Sequence, residues 1–536
     1  MILVRRVAAR LGVDIAYITT IVVFSYGLFL RTWDLWADQA VFQYMAWGIH
    51  HGLRPYRDTI NMNWPGCLLV HLLGEAFTGM DASGLRLVET GFLWTLCVAT
   101  AVILRAYGVG IFLRIAAVTF FLVAYFGTGY QATAMRESFM TPCLAVGLIP
   151  LLTATPRTDG RDRAAWIVAG AFAGFGFWIK PTIVLPLAGA VATAFLFARS
   201  RRLLWSRLGA YLTGAAVVSV AVLAFVAIWA DLAGFWRWGV EFTFGAYAWL
   251  RWPHEVRVRH LVHSLGEPGN APTLWLCLAG VGAFAVLLGL LAKGKAQLEW
   301  VDTARRTFNL WLLVVLVVAT IYIQGKTHSV YQYIPLKWSM ALFGALLCGH
   351  ALPARLRRPL RPRPRWRGPV RWGAFVVGVA FYSLYAMDFS RADTGRGETG
   401  FTDTLQSGLG DKGEKDTVVV FGFMGPSVLC TLERVTPFPF IDGWSNWTGA
   451  PEGSPFRAEY VRLWEKALSD PSVRFFIAQR GTRLPPGLRF DESRDELSED
   501  VVARYFPEPK LRSLGFVRSK AFDAFSSWVD VYERAR

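Results

Sequence analysis

The chain is assembled from blocks of apolar residues, each roughly 17–25 long and carrying few charges. A helix of about 20 such residues crosses the ~30 Å hydrocarbon core of a bilayer. Blocks of this kind are expected as helices over roughly 13–31, 84–104, 114–127, 138–154, 165–179, 182–198, 208–230, 273–292, 308–323, 334–352 and 372–388. No single soluble core buries so many. Composition agrees: 54% of the residues are hydrophobic and 18% charged, against about 45–50% apolar and about 25% charged in soluble domains. The expected fold class is an α-helical polytopic membrane protein with about 11 transmembrane helices. Arg5, Arg6 and Arg10 precede the first block, but no small-residue cleavage site follows it, so it reads as a membrane helix rather than a signal peptide.

A net charge of +17 would suggest nucleic acid in a soluble chain. Here the arginines fall mainly in alternate connections. One set holds Arg105 and Arg114; Arg157, Arg161 and Arg163; Arg199, Arg201, Arg202 and Arg207; Lys293, Lys295, Arg305 and Arg306; and the run "RLRRPLRPRPRWRGPVR" at 355–371. The intervening loops carry few per loop, with the long 231–272 as the exception. The positive-inside rule then places the N-terminus in the cytoplasm, and an odd number of spans places the tail outside. The arginine run has a nucleic-acid or anionic-lipid reading, but it reads first as a topology signal, and no nucleic-acid partner is expected. Cys67, Cys97, Cys143, Cys277, Cys348 and Cys430 have no spacing that suggests zinc or a disulfide framework, and read as small buried residues.

With this topology the distinctive polar residues share the outer face: the first loop 33–82, "GTGYQATAMRES" (127–138), Lys180-Pro181, 231–272, "QGKTHSVYQY" (324–333) and the tail from 389. One external site at the membrane surface accounts for them. Within "WADQAVFQYMAWGIHHGLRPYRDTINMNWPG" (36–66), Val41, Phe42, Met45, Ala46 and Ile49 recur at helical spacing, with Gln39, Gln43 and His50 between them. This predicts a helix lying in the interface. Asp38 sits at its start, where an acid caps the helix or complements its dipole, and where it could equally be held as a general base.

These residues resemble the GT-C superfamily of integral membrane glycosyltransferases, in the dolichyl-phosphate-mannose-protein mannosyltransferase-like branch that includes bacterial lipid A aminoarabinose and galacturonic acid transferases. The first loop of that branch has an acid, an aromatic-rich interfacial helix, Gly-x-x-Pro-Tyr-x-Asp, and a proline opening the next helix. Asp38, Gly52, Pro55, Tyr56, Asp58, Pro65 and Gly66 match it. Arg136-Glu137 matches an Arg-acid pair at the outer start of the fourth span. "GAFAGFGFWIKP" (170–181) matches a Gly-rich helix ending in Lys-Pro, and "QGKTHSVYQYIP" (324–335) a Gly-Lys, aromatic and His/Gln cluster. The resemblance covers nearly the whole membrane region. It implies transfer of a sugar from a polyprenyl-phosphate donor to a lipid, glycan or protein acceptor, with inversion. By the same likeness Asp38 is the general base and Glu137 the second acid. Arg136, Lys180, Lys326, His328, Tyr331, Gln332, Arg57, Tyr56, Asp58 and Trp64 are then candidates for holding donor or substrate. Lys180 and Lys326 have a blander reading as cations that snorkel to the interface, and Trp64 as a belt tryptophan.

One departure limits the carry-over. Aminoarabinose transferases have an acid and a lysine just before the first-loop proline, where this chain has Asn63 and Trp64. Room remains for a divalent metal, but neither metal dependence nor donor identity carries over, and no cofactor is assigned. The chain divides by composition into a transmembrane part, 1–389, and a polar tail, 390–536. In the tail, "DTVVVFGF" (416–423) and "SVRFFIA" (472–478) read as strands, "FRAEYVRLWEKALSD" (456–470) as a helix, and "SSWVDVYE" (526–533) as an alternating close, a small α/β extracytoplasmic domain. A lipid-linked glycan transporter or flippase would show internal repeats and mid-membrane charges, and an O-antigen ligase or polymerase a large loop late in the chain. Neither pattern is evident. The implied place is a bacterial inner membrane. The arginine pattern makes a topological prediction: reporter fusions after Arg365 and after Gly453 will report opposite compartments. The same compartment for both would overturn the map.

Overall fold

The structure is a computed structural model. Apart from single positions, it describes residues 2–153, 161–196, 200–246, 253–266, 297–325, 330–351, 372–383, 416–421, 425–440, 453–482, 506–524 and 527–535. The chain forms two compact units. One comprises Met1–Trp33, Leu85–Val222 and Trp252–Thr394; the other comprises Asp34–Gly84, Leu223–Arg251 and Gly395–Arg536.

The first unit is helical. Its long helices include α1 (Ile2–Leu28), α4 (Ala82–Ala106), α5 (Ile111–Phe126), α6 (Arg136–Thr153), α7 (Arg161–Ile179), α8 (Val184–Leu196) and α9 (Arg201–Trp229), followed by Gln297–Gln324 and Ile334–Ala351. These and the helix Trp372–Ser383 coincide with the expected spans, except 273–292, which lies almost wholly outside the described residues. Ala82–Ala106, Arg201–Trp229 and Arg306–Gln324 are long and apolar enough to cross a membrane. Others, such as Ile111–Phe126 and Pro181–Leu196, are shorter apolar helices, a mismatch that bilayers accommodate by thinning. On α9, Trp205, Leu212, Val217 and Val220 are all more than 60% exposed. Water tolerates such a stripe poorly, whereas lipid covers it.

Helix packing here depends on residues without side chains. A Cβ on Gly170 of α7 would lie 1.8 Å from the Tyr211 carbonyl oxygen of α9, and one on Gly214 of α9 would lie 1.9 Å from that of Ile167. The two backbones therefore approach as closely as small-residue motifs allow in lipid, where apolar burial gives helices no net attraction. Gly176 meets Cys143 of α6 and Ile183 in the same way. Buried charge is paired: Arg114 donates two hydrogen bonds of 2.9 Å to the Asp14 carboxylate. Neighbouring hydroxyl pairs, Tyr17 with Thr119 and Ser25 with Tyr382, tie α1 to its neighbours.

The second unit mixes loop helices with a sheet. Its strands are β1 (Thr417–Phe421), β2 (Val473–Thr482), β3 (Phe516–Ala524) and β4 (Ser527–Arg534), in the order β1-β2-β4-β3. β1 and β2 run parallel and the other pairs antiparallel. Successive residues alternate between two cores, Val418, Phe475 and Ile477 on one face and Val419, Phe476 and Ala478 on the other. Both faces are covered, which is why these strands read as unbroken apolar runs. The helix Pro455–Ser469 lies in the β1–β2 crossover and packs Tyr460 and Trp464 onto the second face. Ile60, Met62, Trp238 and Phe242 share that core, so segments 34–84 and 223–251 fold as one body with the tail. β3 was not foreseen from the sequence.

The first-loop helix α2 (Ala37–His50) forms where expected but does not have a wet polar face. Gln39 and Gln43 are 1% and 0% exposed. Gln43 donates to the Gly79 carbonyl at 2.9 Å, and its amide oxygen meets His71 Nδ1 at 3.1 Å. α2 packs on α3 (Pro65–Thr78) and on Gly425–Leu432, so Gln39 and Gln43 face protein, while His50 at its end is exposed. Spacing cannot reveal that an amide has found both a donor and an acceptor inside. The glycine contact yields a prediction. Gly214→Val will destabilise the detergent-solubilised protein by about 1–3 kcal/mol or more, read as a lower melting temperature. Gly209→Val, on the same helix with nothing within 4 Å of its Cβ, will cost less.

Candidate active site

The site in the first unit begins with a buried network that holds the chain ahead of α6. Arg86, 0% exposed, donates to Glu89 at 3.0 Å, to Thr133 at 3.1 Å and to the Trp33 carbonyl at 3.3 Å. The Glu89 carboxylate also accepts from Tyr125 and, at 2.7 Å, from the Ala134 backbone N–H. Ala134 sits at φ +51°, a left-handed conformation that a non-glycine residue adopts only when its surroundings impose it. The effect is to fix the turn from which Arg136 and Glu137 emerge at the first turn of α6.

Glu137 is 1% exposed and forms an ion pair with Lys180. Lys180 is placed by Pro181: the residue before a proline is driven to extended backbone, here φ −156° and ψ 111°, which ends α7 and turns the side chain inward. Lys180 is therefore not snorkelled to the surface; the residue is 7% exposed and its ammonium lies against a carboxylate. Glu137, Lys180, Thr182 and Gln332 line one cleft, closed by apolar residues such as Met140 and Ile321. Among the described residues, Glu137 Oε2, Thr182 Oγ1 and Gln332 Oε1 are buried without a hydrogen-bond partner. Leaving such atoms unpaired costs about 1–3 kcal/mol each, and the cleft, about 10 Å³, has room beside them for one group the size of a hydroxyl or water. Gln332 and the half-buried Tyr331 lie in a short 3-10 turn, Val330–Tyr333, and Arg136 is half-buried beside Glu137.

The first-loop candidates form a separate group, in the second unit. Asp38 is half-buried in the first turn of α2, where the helix dipole favours a carboxylate. Tyr56 is 1% exposed at φ +69°, and its hydroxyl donates to the Asn63 carbonyl at 2.8 Å. Burial pushes its phenol well above the usual range. Arg57 forks onto Asp58 with bonds of 2.9 and 2.7 Å, and the Arg54 N–H donates to Asp58 at 2.8 Å. Partial burial raises the Asp58 carboxyl, but these donors outweigh it and hold it below the usual carboxylate range. The Trp64 indole donates to the Gly239 carbonyl at 3.1 Å. Gly-x-x-Pro-Tyr-x-Asp thus builds a self-bonded loop.

The structure brings Glu137, Lys180 and Gln332 together. Lys326 and His328 lie outside the described residues. No group of three His, Cys, Asp or Glu suited to a metal occurs among the described residues. The sequence reading passed over Arg86, Glu89, Thr182 and Lys337. Arg86 and Glu89, three apart in an apolar helix, were a signal in themselves, because ionisable residues in membrane segments are rarely idle. Lys337, 2% exposed, donates to the Ala124 carbonyl at 3.0 Å.

No family model and no curated protein matches the sequence. Among solved structures, the chain aligns with ArnT from Cupriavidus metallidurans bound to undecaprenyl phosphate, with TM-score 0.59 and 12% identity over 98% of each chain. It aligns with the apo state of the same protein at TM-score 0.52 and 14% identity, over 99% of this chain and 97% of that one. The mycobacterial arabinofuranosyltransferase AftD matches at TM-score 0.49 and 14% identity, over 99% of this chain and 40% of that one. Over nearly its whole length the chain has the fold of ArnT.

Proposed function

We propose that the protein is a membrane glycosyltransferase that moves a sugar from a polyprenyl-phosphate donor to a hydroxyl of a lipid, glycan or protein acceptor, with inversion, at the outer face of a bacterial inner membrane. The observation that carries this is the buried Glu137–Lys180 pair, with an unpartnered carboxylate oxygen facing a cleft, in a chain with the ArnT fold. A ground-state sugar offers hydroxyl donors to the acceptor atoms of such a cleft. The undecaprenyl phosphate bound to ArnT supports the class of donor.

In the proposed reaction Asp38 takes the proton of the acceptor hydroxyl. The oxygen attacks the anomeric carbon from the face opposite the phosphate. The C1–O bond breaks, and its electron pair leaves on polyprenyl phosphate. The leaving group is already a stable anion, so catalysis rests on activating the nucleophile and compensating charge. Glu137 holds a sugar or acceptor hydroxyl through Oε2. Lys180 supplies the counter-charge that a buried carboxylate requires, and it meets the donor phosphate only by sharing its ammonium with Glu137. Arg136, Lys326 and His328 are the remaining candidates for that phosphate, while Arg57, Tyr56, Asp58 and Trp64 shape the first loop.

Asp38→Asn keeps the size and caps about as well. With purified polyprenyl-phosphate sugars in liposomes, it will lower turnover by about two to four decades, with unchanged protein level and melting temperature. Wild-type turnover by this variant would overturn the base assignment. Glu137→Gln will lower turnover as well, and it will leave Lys180 a buried cation without a counter-charge, so its melting temperature will also fall.

A further inference from the structure

The second unit carries a pocket walled in part by Tyr56 and Arg57 of the first loop, apart from the Glu137–Lys180 cleft. It holds about 480 Å³ and opens to solvent, within the usual size of ligand sites, about 300–1,000 Å³. One wall is a π-helix, Phe235–Ala246. π-Helical turns are rare and are frequent at functional sites. The i to i+5 spacing of this helix sets Trp236 beside Glu241, and the indole N–H donates to the Glu241 carboxylate at 2.9 Å. An α-helical pitch would not place side chains five apart in contact. Trp236 is 59% exposed, a large flat ring held in place at the pocket by a hydrogen bond at its edge.

The other polar walls are fixed in the same way. Asp231 accepts from the Gly234 N–H at 2.7 Å. Arg237 pairs with Glu459 and stands 5.3 Å from the Trp238 ring centre. Arg57 is locked onto Asp58. Gly234 lets this wall pack directly on the first loop, because a Cβ there would strike the Tyr56 carbonyl oxygen at 2.4 Å. Each group is held by one or two bonds. A carboxylate accepts about four hydrogen bonds and a guanidinium donates five, so capacity remains toward the pocket.

We infer that this pocket binds a saccharide, neutral or amino-substituted. An exposed indole face attracts the electron-poor C–H face of a sugar ring through its quadrupole. Planar carboxylates and guanidinia, pre-positioned around it, match vicinal hydroxyls. Asp231, Glu241 and Glu459 outnumber Arg57 and Arg237 among the lining residues, and both arginines already face acids, so an anionic headgroup is disfavoured. The ring of charges also argues against an apolar peptide, whose burial would strip them of water.

The pocket stands on its own geometry and is tested by binding rather than transfer. Full-length protein in nanodiscs, free of sugar-headed detergent, is titrated with maltohexaose, chitotetraose and α-mannotetraose while tryptophan emission is followed. At least one probe will quench saturably in the millimolar range or tighter. Trp236→Ala will weaken it about tenfold, the upper end of an aromatic contact, Trp236→Phe will retain part of the affinity, and Glu241→Gln will weaken it. Asp38→Asn will bind like the wild type, which separates this inference from the proposed transfer. Glucose 1-phosphate will not compete. Melting temperatures near wild type show that the exposed Trp236 was not structural. No saturable quenching by any probe, equal affinity in Trp236→Ala, or preference for the phosphorylated sugar would overturn the inference.

Discussion

The helical unit depends on one constraint: a charge taken out of water into an apolar interior must be answered there, by an opposite charge or by hydrogen-bonding groups. Breaking such a pair by removing one partner costs about 3–5 kcal/mol. Asp14 answers Arg114, Glu89 answers Arg86, and Glu137 answers Lys180. The three pairs differ in what is left over. The Asp14 carboxylate is gripped by a two-pronged arginine, and the Glu89 carboxylate accepts from arginine, tyrosine and backbone. Glu137 alone among these three keeps a buried oxygen without a partner among the described residues. Neighbours with satisfied carboxylates make a scaffold, and the one with spare bonding capacity makes a site.

Backbone chemistry brings that site together. Glycines let α7 approach α9 at backbone contact, and Lys180-Pro181 ends α7 in extended conformation at the level where α6 begins. Glu137 owes its place to a strained Ala134 held by Glu89. The carboxylate and the ammonium thus come from two helices whose ends are set independently, one by a proline and one by a hydrogen-bonded turn. Preorganisation of this kind is what charge-based catalysis needs, since the groups do not have to reorient during the reaction.

The second unit solves a different problem. Its sheet is covered on both faces, and the covering on one face includes Ile60, Met62, Trp238 and Phe242 from segments far from the tail in sequence. The Ile60 N–H donates to the Pro439 carbonyl at 2.5 Å, and the Tyr44 hydroxyl to that of Arg434 at 3.1 Å. These bonds satisfy loop backbone that water does not reach. Asp38 therefore rides on a helix anchored by the tail, which gives residues 390–536 a physical role in holding the first loop.

Much of this was readable from the sequence, because hydrophobic period and breaker residues act locally. Apart from 273–292, which lies almost wholly outside the described residues, the apolar blocks became helices at the expected places. Strands at 416–423 and 472–478, the helix at 456–470, and the helical start at Asp38 all formed within a few residues of expectation. Arg136-Glu137 and Lys180-Pro181 stood out as charge-bearing dipeptides beside apolar runs. The partners of those residues were not readable. Nothing in spacing tells that Lys180 meets Glu137, that Gln43 is buried between Gly79 and His71, or that Trp238 shares a core with Trp464. Such contacts join residues tens to hundreds of positions apart, and only the packed chain decides them. The sequence by itself determined which segments must leave water and which local shapes they take, since burial and backbone propensity belong to each segment. The tertiary structure decided which polar groups are satisfied and which remain open, because a hydrogen bond or an ion pair depends on the distance between atoms in the folded chain.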